Sequence, residues 1–277
     1  MTAPAVWPRL SNLQLRLATA AVGLPLVVAA TWIGGWAFAL VAGGIAFLAA
    51  AEFVHGWLIP TQSITRVFTM APAFGASAII VAGVQSSGGF AVFGAIMGGL
   101  LVVSGYLPTQ SFGPRKPFRV LGGSVLYVGV LFSAVVALRD LENGREWVFI
   151  GILSTFAVDT GAYVVGKSIG RHKLAPRISP SKTREGAVGG WVVGAAAVLA
   201  LNAAFDTGVS VATLLPFAIV MPVLAQTGDL FESWMKRRMG VKDASGLLPG
   251  HGGFLDRMDS ILFVMPALYF FVRLQAL

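Results

Sequence analysis

Apolar residues along this chain come in long runs, not in the alternation of a strand or the one-sided stripe of a surface helix. Nine such runs, at 17–33, 36–54, 67–84, 90–106, 120–138, 147–165, 187–204, 211–230 and 260–272, recur from end to end. Most reach the roughly 17–25 residues that carry a helix across a bilayer. The last is short, and its helix is expected to begin earlier, inside the polar loop before it. Glycine-bearing breaks such as "IGGW", "SSGGF" and "FDTGVS" separate several runs, as turns between packed helices should. The pattern predicts an all-α polytopic integral membrane protein with about nine transmembrane helices.

Composition agrees. Of 277 residues, 56% are hydrophobic and only 12% charged, with a mean hydropathy of +0.79. A soluble domain carries roughly a quarter charged residues, and this chain could not cover a water-facing surface. The 34 glycines favour close approach of helices in lipid. With no cysteine, disulfides and thiolate metal sites are excluded, and the three histidines, His55, His172 and His251, are too scattered for a histidine-rich centre.

The net charge of +8 would point to nucleic acid in a soluble protein; in a membrane protein it reflects basic loops facing the cytoplasm and anionic lipid. No nucleic-acid partner is expected. Counted on alternate sides of the nine runs, Lys and Arg divide 17 to 3, with only Arg139, Arg145 and Arg273 on the poorer side. That bias puts the N-terminus and the large basic loops in the cytoplasm, in a multi-pass protein of the cell inner (plasma) membrane. Arg9 and Arg16 before an apolar run resemble a secretory signal, but without a clear cleavage site an uncleaved first helix is expected. The chain reads as a single membrane domain, with transmembrane helices in 1–140 and the chemistry in the helices and loops of 141–277.

Within "DTGAYVVGKS", Gly161 and then Gly166-Lys167-Ser168 match the P-loop pattern. A P-loop needs a strand running into the turn, and here the preceding residues read as a membrane helix. Gly161 and Gly166 are therefore expected to be helix-packing positions, and Lys167 a basic residue at the cytoplasmic edge.

The first half is chemically quiet. Its one intramembrane acid, Glu52, is either a structural group facing the bundle or a site residue, and the sequence does not decide. The second half places Asp159 inside the sixth run, Asp229 and Glu232 at the end of the eighth, and Asp256 and Asp259 at the start of the ninth. Carboxylates at membrane depth are costly and are usually paired or functional. Asp229, Glu232, Ser233 and Lys236 fall at i, i+3, i+4 and i+7, one helix face; Asp256, Asp259 and Ser260 repeat the first three of those spacings. Two such faces would converge on a hard divalent cation such as Mg²⁺. The alternative is a buried salt-bridge network in which Lys236 and Arg237 neutralise Asp229 and Glu232.

Around the acids lie groups suited to phosphate. "GRHKLAPRISPSKTREG" carries Lys182 with Ser179 nearby, and "KRRMGVKDASGLLPGHGGFLDR" carries Lys236, Arg237, Lys242 and Arg257 with a glycine-rich turn. Positive-inside targeting accounts for the charge count but not for acids beside the basic groups. Acid, base and Mg²⁺ together equip a site for phosphoryl or nucleotidyl transfer.

Residues 233–259, "SWMKRRMGVKDASGLLPGHGGFLDRMD", resemble the signature of the phosphatidate cytidylyltransferases. Ser233, Lys236, Arg237, Lys242, Asp243, His251, Gly252, Gly253, Asp256, Arg257 and Asp259 fill its fixed positions, and "DTGAYVVGKSIGRHKLAPRISPSKTREG" resembles the motif that precedes it. The likeness covers about the C-terminal two-fifths of the chain. It implies an integral membrane enzyme, a homodimer, that makes CDP-diacylglycerol and pyrophosphate from CTP and phosphatidic acid with Mg²⁺, a potassium ion lying beside the magnesium. On the same basis Asp229 and Asp256 are metal ligands, and Asp259 and Glu232 support them. Lys236 and Arg257 act at the reacting phosphates. Asp159, Ser179, Lys182, Ser233, Arg237, Lys242, Asp243, His251, Gly252 and Gly253 contribute to substrate binding. His251 either donates to a phosphate or only shapes the turn.

Two rivals differ in class or substrate. An ion-coupled transporter would spread its acids through the membrane and repeat its halves, and neither is seen. A CDP-archaeol synthase or polyprenol kinase-like enzyme would keep the site and change the lipid.

Overall fold

A computed structural model of the chain describes residues 12–58, 120, 122–250 and 252–275. The runs at 67–84 and 90–106 and the residue His251 lie outside the described residues. Helix α1 spans Asn12–Ile33 and α2 Gly35–Leu58; a π-helical turn, Val125–Val130, leads into α3, Leu131–Arg139; α4 spans Gly144–Ile169. A hairpin of β1, Lys173–Ala175, and β2, Ser179–Thr183, follows. Then come α5, Arg184–Phe205, α6, Val211–Met239, the one-turn α7, Leu255–Met258, and α8, Ile261–Gln275. Six of the described segments are long and apolar enough to cross a membrane, so the chain is a helical, polytopic membrane protein. Helix α8 has 15 residues, below spanning length, and α7 precedes it in the loop where an earlier start was expected.

Three elements depart from the sequence reading. The eighth run continues as helix to Met239, so Asp229 and Glu232 lie inside α6 and not at its end. Lys236, Arg237 and Arg238 are good helix formers that complement the C-terminal dipole. Gly240, at φ +80°, then stops the helix: its amide donates to the Arg237 carbonyl, and the Val241 amide reaches back to Lys236 at 3.0 Å. Second, the basic serine-rich segment contains a β-hairpin, Lys173 opposite Thr183 and Ala175 opposite Ser179. Third, Asp256 sits on α7 and Asp259 just after it, apart from α8.

Among the described elements, α4 and α5 share the most extensive packing. Gly186, Gly190 and Gly194 recur every four residues along α5, so one stripe of that helix has no side chains. A Cβ on Gly190 would stand 2.7 Å from the Val158 carbonyl oxygen, and one on Gly186 2.7 Å from that of Ala162. Gly161 is likewise a packing position, since a Cβ there would meet Val193 at 2.7 Å. Residues 161–168 are helical throughout, with no strand before them, so the P-loop geometry is absent.

Thr183 ends the hairpin and starts α5, its hydroxyl accepting from the Gly186 amide at 3.1 Å. Glu185 ties the start of the hairpin to the same helix, accepting from the amides of Arg171 and His172. At the other end of the bundle Trp147, Phe217 and Phe271 form an aromatic core, with Phe217 stacked on Phe271 at 5.0 Å.

Candidate active site

The hairpin and helices α4, α6 and α7 supply the charged groups. Asp159 comes from α4, Asp229 and Glu232 from successive turns of α6, Asp256 from α7, and Asp259 from the residue after it. Asp159, Asp229 and Asp259 lie within electrostatic reach of one another. Asp229 is ion-paired with Lys182 of β2. Lys236 stands between two carboxylates, 3.2 Å from Glu232 Oε2 and 2.7 Å from Asp256 Oδ1. Asp256 also accepts from the amides of Ala244 at 3.0 Å and Gly253 at 2.8 Å, which wraps the α6–α7 loop around its side chain.

Burial by itself would raise the Asp256 carboxyl, but the hydrogen bond and charge of Lys236 outweigh it and hold the group below its ordinary range. For Asp259, burial, reinforced by the Asp229 charge, outweighs the Ser260 amide and the weaker pull of Lys236 and pushes it up to about 6. Glu232 is fully buried, and its Oε1 has no hydrogen-bond partner among the described residues. An unpartnered carboxylate oxygen at that depth is costly to leave so.

The expected pairing of Asp229 and Glu232 with Lys236 and Arg237 holds only for Glu232 and Lys236. Arg237 is about 100° further around the helix and faces the hairpin, where its Nε donates to the Ile178 carbonyl at 3.2 Å. Among the described residues, no three acidic or histidine side chains are gathered into a metal cage; each of Asp229, Glu232 and Asp256 has a lysine beside it.

Two cavities meet at Asp159 and Asp229, which line both. The larger, about 1080 Å³, has the acids Asp159, Asp229, Asp256 and Asp259 and the bases Lys236, Lys242 and Arg257 in its polar wall, with Asp243 and Gly252. Its apolar wall includes Leu24 and Val27 of α1, Phe38 and Ile45 of α2 and Phe132 of α3. The smaller, about 380 Å³, lies against Lys182, Ser181, Tyr163, Lys167 and Gln226. Ser179, Glu232, Ser233, Arg237 and Gly253 line neither.

Residues 14–275 match the cytidylyltransferase family. The chain belongs to that family. It is 33% identical over 261 residues to a phosphatidate cytidylyltransferase of Staphylococcus haemolyticus, covering 92% of this chain and 97% of the relative. One from Staphylococcus saprophyticus is 32% identical over the same length and coverage. One from Bacillus subtilis is 41% identical over 152 residues, 54% of this chain and 56% of the relative. The cytidylyltransferase match begins on α1, so it takes in the N-terminal helices that carry no signature motif.

Sequence reasoning missed the contribution of those helices. Arg16 Nε donates to the Gly250 carbonyl at 2.8 Å and Thr19 to that of Pro249 at 3.0 Å, so α1 touches the α6–α7 loop. Glu52 of α2 reaches the same loop. The only local signal was Glu52 itself, an acid in an apolar run.

Proposed function

We infer that this chain transfers the cytidylyl group of CTP to phosphatidic acid, giving CDP-diacylglycerol and pyrophosphate. It is a nucleotidyltransferase of phospholipid biosynthesis. The observation that carries this reading, beside family membership, is the larger cavity: its polar wall is the acid–lysine cluster and its apolar wall continues among α1, α2 and α3. A lipid phosphate with acyl chains attached needs both walls at once.

In the reaction, an oxygen of the lipid phosphate forms a bond to the α-phosphorus of CTP, and the bond from that phosphorus to the β-phosphate oxygen breaks. A phosphate monoester, with a second pKa near 6, is largely ionised at neutral pH and needs no strong general base. The carboxylates are therefore cast as metal ligands: Asp229 and Asp256 would hold Mg²⁺, Asp259 and Glu232 would support it, and a K⁺ would accompany it. The donors are all oxygen, and Glu232 Oε1 accepts from no donor among the described residues while its carboxyl lies beside those of Asp256 and Asp259, which favours a hard cation. When bound, Mg²⁺ neutralises charge on the phosphate oxygens.

Lys182 and Lys236, each paired with acids, and Arg257 and Lys242, in the cavity wall, orient the phosphates. Ser179, Ser233, Asp159, Asp243, His251, Gly252 and Gly253 shape the substrate sites around them. Arg237 acts through the hairpin it holds. The full chain has about nine spans with the N-terminus and the site facing the cytoplasm, in the inner membrane, and works as a homodimer.

The test is conversion by purified protein in detergent supplied with CTP, phosphatidic acid and Mg²⁺. CDP-diacylglycerol and pyrophosphate are expected in equal amounts, stopping on chelation and resuming when Mg²⁺ is restored. No product across varied lipid and ion conditions would sink the reading.

A further inference from the structure

We propose that Glu52 is a positioning residue: from α2 it holds the α6–α7 loop so that Asp256 and Arg257 face the cavity. The role in turnover rests on the reaction inferred above; the role in holding the loop does not.

Glu52 is the only acid in α2 and is fully buried. A carboxylate there must find donors, and where it finds them is informative. Oε1 accepts from the Ser245 hydroxyl at 2.5 Å and the Phe254 amide at 3.0 Å, and Oε2 from the Leu255 amide at 2.7 Å. All three donors belong to residues 245–255, none to a neighbouring membrane helix, and no cation pairs with Glu52 among the described residues. A group that merely satisfied its own burial would have no reason to draw every donor from one loop.

The donors bracket the site. Ser245 follows Ala244, whose amide binds Asp256, and Leu255 directly precedes Asp256. Glu52 lines neither cavity, so its influence passes through the loop. Gly253 completes the fit: a Cβ there would stand 2.7 Å from Glu52 Cδ, so any side chain would push the carboxylate from the amides it binds. That gives the second glycine of "HGG" a reason that involves no ligand.

The experiment uses the whole chain with Glu52→Ala and Glu52→Gln. Gln keeps an acceptor for Ser245 and Phe254 but turns an NH₂ toward the Leu255 amide. Displacing reacting groups by about an ångström costs about 100-fold, so Glu52→Ala is expected to lose about that much kcat. KM for CTP and phosphatidate should rise as well, because the same loop carries Lys242, Asp243 and Gly252 of the polar wall. Glu52→Gln should lose about tenfold, as partial loss of a supporting contact does.

A second readout is independent of turnover. The chain has no cysteine, and a Cβ on Gly246 meets no atom of the described residues within 4 Å, so Gly246→Cys is a site for a nitroxide. The label then reports motion of the loop backbone, and its spectrum should sharpen in Glu52→Ala relative to the chain with Glu52 present. A kcat within about threefold of the native value, or an unchanged spectrum, overturns the proposal. If Glu52→Ala does not fold, Glu52→Gln decides by the same two measurements: less than about a twofold loss of kcat, or no gain in label mobility, overturns it. If the native chain makes no CDP-diacylglycerol, the reaction fails as a reading, while the label still reports on the loop.

Discussion

Each of the three acids that line α6 and α7 at the centre of the site has a cation, and that cation is a lysine. Lys182 holds Asp229, and Lys236 holds Glu232 and Asp256 together. An ammonium is a flexible point charge that can change partners, as a group must if it meets phosphate when substrate arrives. Replacing Asp229 or Asp256 by Asn keeps the shape and removes the charge. Either change should lower turnover by about 100-fold or more, with the protein still monodisperse on size-exclusion chromatography. Near-native activity in either variant would remove that residue from the metal assignment. Lys167 gives the opposite prediction. It lies in the last turn of α4 and donates to the Tyr163 hydroxyl at 3.3 Å. Lys167→Met should cost less than about tenfold in kcat/KM, whereas a P-loop lysine would be indispensable.

Among the elements, the α5 glycine stripe makes the sharpest claim. Gly190→Val places three carbons where the α4 backbone lies, and overpacking of that kind costs about 1–3 kcal/mol or more. A lower melting temperature in detergent is expected, with Gly44→Val as a control, its Cβ position being open among the described residues and its backbone helical. The long elements were legible: the runs at 147–165 and 187–204 fall inside Gly144–Ile169 and Arg184–Phe205, because an uninterrupted apolar run leaves a membrane chain no structure but helix. The hairpin was not. "KLA" and "SPSKT" are too short and too polar to alternate, and they are held by Glu185, Thr183 and Arg237 from outside or at the edge of the strands. The overrun of α6 was hidden for a different reason, since charged residues that end an apolar run need not end a helix. The pairing of Glu52 with Leu255 spans 203 positions and leaves no local trace.

At the scale of the whole molecule, the two ends of the bundle differ. Arg16 meets the α6–α7 loop near one end of α1, while Arg139 donates to the Thr31 and Trp32 carbonyls near the other and Arg145 lies 4.3 Å over the Trp32 ring. The sequence expectation that Arg139 and Arg145 lie across the membrane from the basic loops is testable in a chain without cysteine. Lys173 and Glu142 are both exposed and lie beyond opposite ends of α4. With an impermeant maleimide, Lys173→Cys should label only in inverted membranes and Glu142→Cys only in intact cells; the reverse pattern would invert the orientation. The reach of Glu52 also has a meaning in time. Its partners are translated 193 to 203 residues later. At about 5–20 residues per second, that is roughly 10–40 s in which the second helix carries an acid whose donors have not yet been made. The active loop is thus among the last pieces to arrive, and Glu52 gains its donors only when the chain is nearly complete.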